Sequence, residues 1–227
     1  MTPSKEEEIV VLLHGIGHIG LNMIAMEKVL QKEGYKTLNL TYPSLRQDIK
    51  GLGDWLAEKL QDTKTWETYE RVHFVVHSMG GLVSGFYLEH HQNDIPKEKM
   101  GRVVMMGTPH GGSEVADFLQ ENPLYQWAFG PAGQELTTSA REEDKIKPWY
   151  ELGIIAGEQD QNITLGRLFI DTSHDGVVSV ESTKVDGMTD HKVMTAMHSF
   201  MAWVPNVQAQ VSHFLEEGKF EDEKQSV

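Results

Sequence analysis

Short, continuous apolar runs alternate with helical stretches along this chain, and this alternation constrains its fold more than any other feature. Residues 9–13 are all β-branched or aliphatic, which is the pattern of a strand buried on both faces. Further strands are predicted at 36–42, 72–76, 102–106, 153–156 and 193–197. Helices are predicted at about 21–33, 49–60, 80–90 and 205–217. The alternation predicts an α/β fold with a mostly parallel central sheet and helices on both faces.

The length of 227 residues fits a single domain that covers residues 1–227. Residues 113–150 break the strand–helix rhythm with Asn122-Pro123 and Gly130-Pro131 pairs, and this predicts a short cap or lid-like insertion. Large apolar side chains of this insertion are expected to line a pocket or, equally, to form the core of the cap. They are Phe118, Leu119, Leu124, Tyr125, Trp127, Phe129 and Trp149.

The formal charge of −14, from 34 acidic and 20 basic residues, disfavours nucleic acid or an anionic bilayer surface as a partner. Part of that charge lies in residues 6–8 and 216–224, which we interpret as solvated ends. The apolar runs are too short for stable membrane insertion. The first residues lack the profile of a secretory signal, so we expect a cytoplasmic protein or a mature chain already trimmed. Without cysteine there is no disulfide and no thiolate chemistry.

The segment His77-Ser78-Met79-Gly80-Gly81 lies where a predicted strand gives way to a predicted helix. A serine held on such a turn projects its hydroxyl above the sheet, and glycine two residues later lets the helix pack closely. The start of the helix offers unpaired N–H groups to a developing oxyanion. The alternative is a serine N-cap followed by two glycines, which occurs by chance in many helices.

A second segment, His14-Gly15-Ile16-Gly17, follows the first predicted strand directly. This is where a loop could supply a second oxyanion donor to a nucleophile at Ser78. A plain glycine turn is the other interpretation of the same residues.

Together these segments resemble the lipase and esterase branch of the α/β-hydrolases, in particular small bacterial lipases with a His-Gly-Ile loop and an Ala-His-Ser-Met-Gly elbow. Residues 107–113, 175–180 and 198–201 are also similar to segments that occur in this order in such proteins. The resemblance implies an oxyanion hole formed by the N–H groups of Ile16 and Met79. It makes His14, Gly15, His77 and Gly80 supporting positions of the two motifs. The sequence departs from the pattern at Val76, where glycine or alanine is usual.

A serine nucleophile needs a histidine base and a carboxylate that orients it, and in this fold the chain order is serine, acid, histidine. His198, between the last predicted strand and the last helix, is the expected base. His213 is expected to face solvent, and His191 to precede the last strand. By position alone Asp175 and Asp160 are equally good acids, with Asp171 a weaker one, and the resemblance favours Asp175.

The resemblance implies a serine carboxylesterase or lipase that forms an acyl-enzyme and needs neither metal nor organic cofactor. The expected substrate is a small-molecule or lipid ester of short to medium acyl length. An amidase, thioesterase or acyltransferase would use the same residues, and a non-catalytic binding module or structural partner protein would need a broken triad. The sequence leaves the oligomeric state open.

Overall fold

The computed structural model describes residues 3–142, 146–159, 170 and 172–222. In that part of the chain six strands form one sheet in the order β2-β1-β3-β4-β5-β6, and every neighbouring pair is parallel. The strands are β1 (Glu8–Leu13), β2 (Lys36–Leu40), β3 (Arg71–His77), β4 (Met100–Met106), β5 (Leu152–Glu158) and β6 (Asp190–Thr195). The predicted α/β fold with a parallel central sheet is confirmed.

Helices cover both faces of this sheet. Within the described residues the α-helices are α1 (Ile24–Lys32), α2 (Ile49–Asp62), α3 (Thr65–Thr68), α4 (Met79–His90), α5 (Glu114–Leu119), α6 (Pro123–Gln134), α7 (Thr138–Glu142) and α8 (Pro205–Glu217). No helix in this part of the chain is both long enough and apolar enough to cross a membrane.

The central strands are apolar throughout because each of their faces is covered. Successive side chains of a strand point to opposite faces, so Leu13 and Val76 join the core beneath α2 and α4. Leu12 and Val75 join a second core, which includes Phe214 of α8. Two-sided burial explains why these strands are visible in the sequence as unbroken apolar runs.

Strand boundaries at the two sheet edges differ from the prediction. Strand β2 ends at Leu40 rather than at residue 42, and β6 spans Asp190–Thr195 rather than 193–197. His191 therefore lies inside β6, where its ring contacts the Thr183 hydroxyl at 3.0 Å, and does not precede the strand. Both are edge strands with half-exposed side chains, so the apolar-run rule does not mark their ends.

The two charged ends are more structured than predicted. Glu8 begins β1 and is buried, with its carboxylate 3.1 Å from Nε2 of His73. Near the other end, Phe220 is buried and packs against Phe214 with ring centroids 4.9 Å apart. The prediction that both ends are solvated is wrong for Glu8 and Phe220, because both side chains are buried.

Helices α5, α6 and α7 occupy the connection between β4 and β5, which is the segment predicted as a cap. Within α6 the backbone is kinked at Gly130, which has φ 60° and ψ −162°. A Cβ at this glycine would clash with the carbonyl oxygen of Leu45, so the segment packs closely against the loop after β2. The segment thus lies over the carboxyl end of the sheet, where the candidate site is found.

Candidate active site

Ser78 occupies the tight turn between β3 and α4. Its backbone has φ 54° and ψ −128°, a conformation that non-glycine residues rarely adopt and that concentrates at functional sites. The turn is held by the Ser78 N–H, which donates to the Met106 carbonyl at 2.8 Å. A Cβ on Gly80 would lie 2.7 Å from the carbonyl oxygen of His14, so only glycine lets α4 approach the loop after β1 this closely.

A continuous hydrogen-bond chain links three side chains that lie far apart in the sequence. The hydroxyl oxygen of Ser78 lies 2.9 Å from Nε2 of His198. Nδ1 of His198 lies 2.7 Å from Oδ2 of Asp175, to which it donates. This places the proton on Nδ1 and leaves Nε2 as an acceptor for the serine hydroxyl.

Asp175 is held rigidly by its own turn. Its Oδ1 accepts from the N–H groups of Val177 at 3.0 Å and Val178 at 2.8 Å. Its carbonyl accepts from the N–H of His198 at 3.0 Å. Asp175 is 1% exposed, against 8% for His198 and 6% for Ser78. The carboxylate is therefore fixed behind the imidazole, while the serine and histidine reach the surface of a cavity.

His77, the residue before Ser78, supports His198 from the side. Its Nε2 donates to the His198 carbonyl at 2.8 Å, and the two rings lie 4.9 Å apart. Burial lowers the pKa of His77 well below its ordinary value, and the proximity of His198 lowers it further because two adjacent protonated rings would repel each other. A neutral His77 holds the backbone of His198 without adding a positive charge beside it.

The loop after β1 brings backbone N–H groups to the serine. His14 is fixed because its Nδ1 donates to the Gly15 carbonyl at 2.7 Å and its own carbonyl accepts from the Tyr42 hydroxyl at 2.7 Å. Burial is the main reason that the pKa of His14 is lowered. Within the described part of the chain, the N–H of Ile16 has no acceptor in the protein. Met79 begins α4, so its N–H has no acceptor inside the helix.

Two residues after β4 shape the site and were not singled out individually from the sequence. Gly107 has φ 58°, and a Cβ there would lie 3.0 Å from Oδ2 of Asp175 and 3.2 Å from Nδ1 of His198. The Thr108 hydroxyl donates to the Ser78 carbonyl at 3.0 Å and so braces the turn. One sequence feature could have identified them as site residues: Gly107 and Thr108 come directly after a buried strand, at the same sheet edge as Ser78.

A cavity of about 320 Å³ opens beside Ser78 and His198. Its wall is mostly apolar, and helices α5 and α6 with the turn after them supply much of it. The lining residues are Gly15, Ile16, His18, His77, Ser78, Pro109, Ser113, Val115, Ala116, Leu119, Phe129, Leu136, Val177, Val178, His198 and Ser199. A mostly apolar cavity with a few polar groups at one point is typical of a site for a small organic ligand.

Only part of the predicted apolar set lines this cavity. Leu119 and Phe129 do, whereas Phe118 is 65% exposed. Trp149 packs elsewhere, since its Nε1 donates to the Leu88 carbonyl at 2.8 Å. Nothing is described of the side chains of residues 124, 125 and 127.

The competing acids Asp160 and Asp171 lie outside the described residues. His110 is buried away from the triad atoms, with Nε2 3.1 Å from the sulfur of Met105, and His213 is half-buried on α8. Among the residues that the structure describes, no group of three or more histidine, aspartate or glutamate side chains is placed to hold a metal ion.

A parallel sheet with a serine on a strained strand-to-helix turn defines the α/β-hydrolase class of protein. The family model described as "Putative serine esterase (DUF676)" matches residues 3–164 of this chain. The chain belongs to this family of serine esterases and is a carboxylic ester hydrolase. The resemblance inferred from the sequence motifs is confirmed.

Solved structures of bacterial hydrolases share the fold. The chain is similar to the lipase BlEst2 of Bacillus licheniformis in its mature form, with 20% identity and a TM-score of 0.76 over 95% of this chain and 94% of that one. In the propeptide form of that lipase, the match covers 99% of this chain but 53% of the longer one, with 19% identity and a TM-score of 0.76. The metagenomic carboxyl esterase MGS0156 matches with 18% identity and a TM-score of 0.67, over 86% of this chain and 65% of that one. Among curated proteins, no sequence matches the chain.

Proposed function

We propose that Ser78 is the nucleophile, His198 the general base and Asp175 the orienting acid of a serine carboxylesterase. The hydrogen-bond chain from Ser78 Oγ through His198 to Asp175, with lengths of 2.9 and 2.7 Å, is the observation that carries this proposal. The distance from Ser78 to His198 lies within the range that proton transfer between a nucleophile and its base requires, and the distance from His198 to Asp175 is that of a hydrogen bond to the orienting carboxylate.

In the proposed reaction, Nε2 of His198 takes the hydroxyl proton as Ser78 Oγ bonds to the ester carbonyl carbon. The negative charge that forms on the carbonyl oxygen is stabilised by the N–H groups of Ile16 and Met79. Asp175 stabilises the imidazolium, which then gives its proton to the departing alcohol oxygen as the ester C–O bond breaks. Water, deprotonated by His198, releases the carboxylic acid from the acyl-enzyme in the same way. The proposed reaction uses no metal or organic cofactor.

We propose that the segment 113–150 caps the site within a single domain and contributes the acyl pocket. Val115, Ala116, Leu119 and Phe129 line the cavity, and they favour an uncharged acyl chain. A hydrogen bond joins the cap to the loop that carries Asp175, because the Ser113 hydroxyl donates to the Val177 carbonyl at 2.9 Å. A cavity of about 320 Å³ suits a short to medium acyl chain.

Turnover of p-nitrophenyl butyrate by purified wild type and Ser78→Ala tests the proposal. We expect Ser78→Ala to lower kcat by about 10⁴-fold or more while circular dichroism and melting temperature stay close to wild type. Ser212→Ala is the matched control, because Ser212 is a buried serine of α8 whose hydroxyl has no hydrogen-bond partner in the described part of the chain. Near-normal turnover by folded Ser78→Ala would refute the nucleophile assignment. Parallel assays with an amide, a thioester and an alcohol acceptor decide between ester hydrolysis and the related reactions.

A further inference from the structure

His18 lies in the loop after β1 and faces the same cavity as Ser78. Its N–H donates to the Gly15 carbonyl at 3.3 Å, which closes a turn in this loop. Its ring stacks on that of His77, with centroids 6.2 Å apart and an angle of 8° between the planes. Burial lowers the pKa of His18, and repulsion between the protonated forms of His18 and His198 lowers it further, so the imidazole is neutral at neutral pH. A neutral imidazole can both donate and accept a hydrogen bond.

Six polar side chains line the cavity, and four of them are already engaged. Ser78 and His198 bond to each other, His77 donates to the His198 carbonyl, and Ser113 donates to the Val177 carbonyl.

The side chains of His18 and Ser199 make no hydrogen bond with the part of the protein that the structure describes. Nδ1 of His18 is buried in spite of this. Nε2 of the same ring is not buried, so it is the nitrogen that a ligand in the cavity can reach.

The chemistry of the proposed reaction indicates which part of the substrate reaches these two residues. His198 must pass its proton to the departing alcohol oxygen, so the alcohol portion of the ester lies beside His198. Ser199 follows His198 in the chain, and His18 stacks on His77, which contacts His198. The cap residues Leu119 and Phe129 supply the apolar wall instead.

The apolar neighbours of the two residues do not line the cavity. Ile19 and Phe200 are 53% and 58% exposed, although they are adjacent in sequence to His18 and Ser199. Beside His198, the cavity wall therefore presents the polar side chains of His18 and Ser199, together with the apolar side chain of Ile16 from the same loop as His18. This arrangement suits an alcohol group that itself carries hydrogen-bonding oxygen.

We propose that His18 and Ser199 form a polar subsite for the alcohol portion of the substrate, and that the enzyme prefers esters of polyols to esters of simple alkanols. The proposal rests on the function proposed above, since it assigns the alcohol side of that same site. His18 contributes the principal hydrogen bond, to a free hydroxyl near the ester oxygen.

A matched pair of esters tests the proposal: glycerol 1-monobutyrate and propyl butyrate, which share the acyl chain and the three-carbon alcohol skeleton. The kcat/KM of each is measured by titrating the released acid at constant pH. We expect wild type to prefer the glycerol ester by about ten-fold or more, the factor that one well-placed hydrogen bond provides. His18→Leu should reduce this preference by about ten-fold, and His18→Asn should retain part of it.

His213→Leu is the control, because it exchanges the same residue types on α8, outside the cavity lining, and should keep the wild-type preference. A wild type that prefers propyl butyrate, or a folded His18→Leu with an unchanged preference, would overturn the polar subsite while leaving the proposed ester hydrolysis intact. Failure to hydrolyse either ester, or p-nitrophenyl butyrate, would instead contradict the proposed function and the subsite with it.

Discussion

The opposite ends of the parallel sheet each hold a buried carboxylate–histidine pair, and the two pairs differ in what the second ring nitrogen does. At the amino end, Nε2 of His73 lies 3.1 Å from the carboxylate of Glu8. At the carboxyl end, Nδ1 of His198 lies 2.7 Å from the carboxylate of Asp175. Distance and burial alone do not tell the pairs apart.

The remaining nitrogen of each ring separates their roles. Nδ1 of His73 accepts from the N–H of Arg102 at 2.9 Å, so both nitrogens are occupied and the ring is 1% exposed. Nε2 of His198 meets the hydroxyl of Ser78 at the edge of a cavity. A carboxylate–histidine pair therefore indicates catalysis when its free nitrogen meets a nucleophile that substrate can reach. A pair whose two ring nitrogens are both occupied, such as Glu8 and His73, instead stabilises the packing of neighbouring strands.

The largest expected difference between the pairs is in turnover. His198→Ala should lower kcat by about 10⁴-fold or more, because the serine then has no base, and His73→Ala should leave the kcat of folded enzyme within a few-fold of wild type. The double variant Ser78→Ala/His198→Ala should be hardly worse than either single variant, since the two residues act as a unit. Assays of p-nitrophenyl butyrate check all four proteins. A double-variant defect equal to the product of the single defects would contradict a Ser78–His198 unit.

A smaller loss is expected when the oxyanion donors are altered and the triad is kept. Ile16→Pro removes the backbone N–H and should lower kcat by about 10²–10³-fold. Ile16→Ala and Met79→Ala keep the N–H and should cost much less. The measurement is kcat on p-nitrophenyl butyrate for variants whose circular dichroism matches wild type. Equal losses in Ile16→Pro and Ile16→Ala would mean that the side chain matters and the N–H does not.

The pair at the amino end should matter for stability. His73→Leu leaves the buried Glu8 carboxylate without its histidine donor, which should lower the free energy of unfolding by about 2–3 kcal/mol. Urea unfolding of wild type, His73→Leu and the control His213→Leu measures this loss. An unchanged urea midpoint in His73→Leu would show that the pair at the amino end does not stabilise the fold.

The smallest expected effect is a change in acid sensitivity at His110, a buried histidine that has no carboxylate pair in the described part of the chain. Burial lowers the pKa of His110 to about 3, and the charge of Arg141 lowers it as well. Between that value and about 6.5 the unfolded chain binds a proton that the folded one does not. The free energy of unfolding therefore keeps this contribution in full above about pH 6.5 and loses it as the pH falls from 6.5 towards 3.

His110→Leu should therefore flatten the pH dependence of the free energy of unfolding by about 1 kcal/mol per pH unit between pH 6 and pH 5. Urea titrations at both pH values check this slope, and a slope equal to that of wild type would contradict the neutral state of folded His110.

The interior of the fold was more predictable than its edges. Strands β1, β3, β4 and β5 are buried on both faces, so hydrophobicity alone marked them in the sequence. The edge strand β6 is half-exposed and its start was missed.

In the site, the turn at Ser78 was predictable because its glycines and its place between a strand and a helix are local features. Contacts between distant segments were not. The close approach of Gly107 to Asp175 and the bond from His77 to the His198 carbonyl depend on the register of whole strands. The choice between Asp175 and Asp160 as the acid was open by position alone, because it too depends on how distant segments are placed in the fold.

The most direct test of the account is a crystal structure of the protein after reaction with an ethyl fluorophosphonate. We predict a phosphorus–oxygen bond to Ser78 Oγ, with the phosphonyl oxygen about 2.7–3.1 Å from the backbone nitrogens of Ile16 and Met79. His198 should remain hydrogen-bonded to Asp175 in the adduct. An adduct on another serine, or a phosphonyl oxygen that bonds to the side chain of His14 or His110, would contradict the proposed active site.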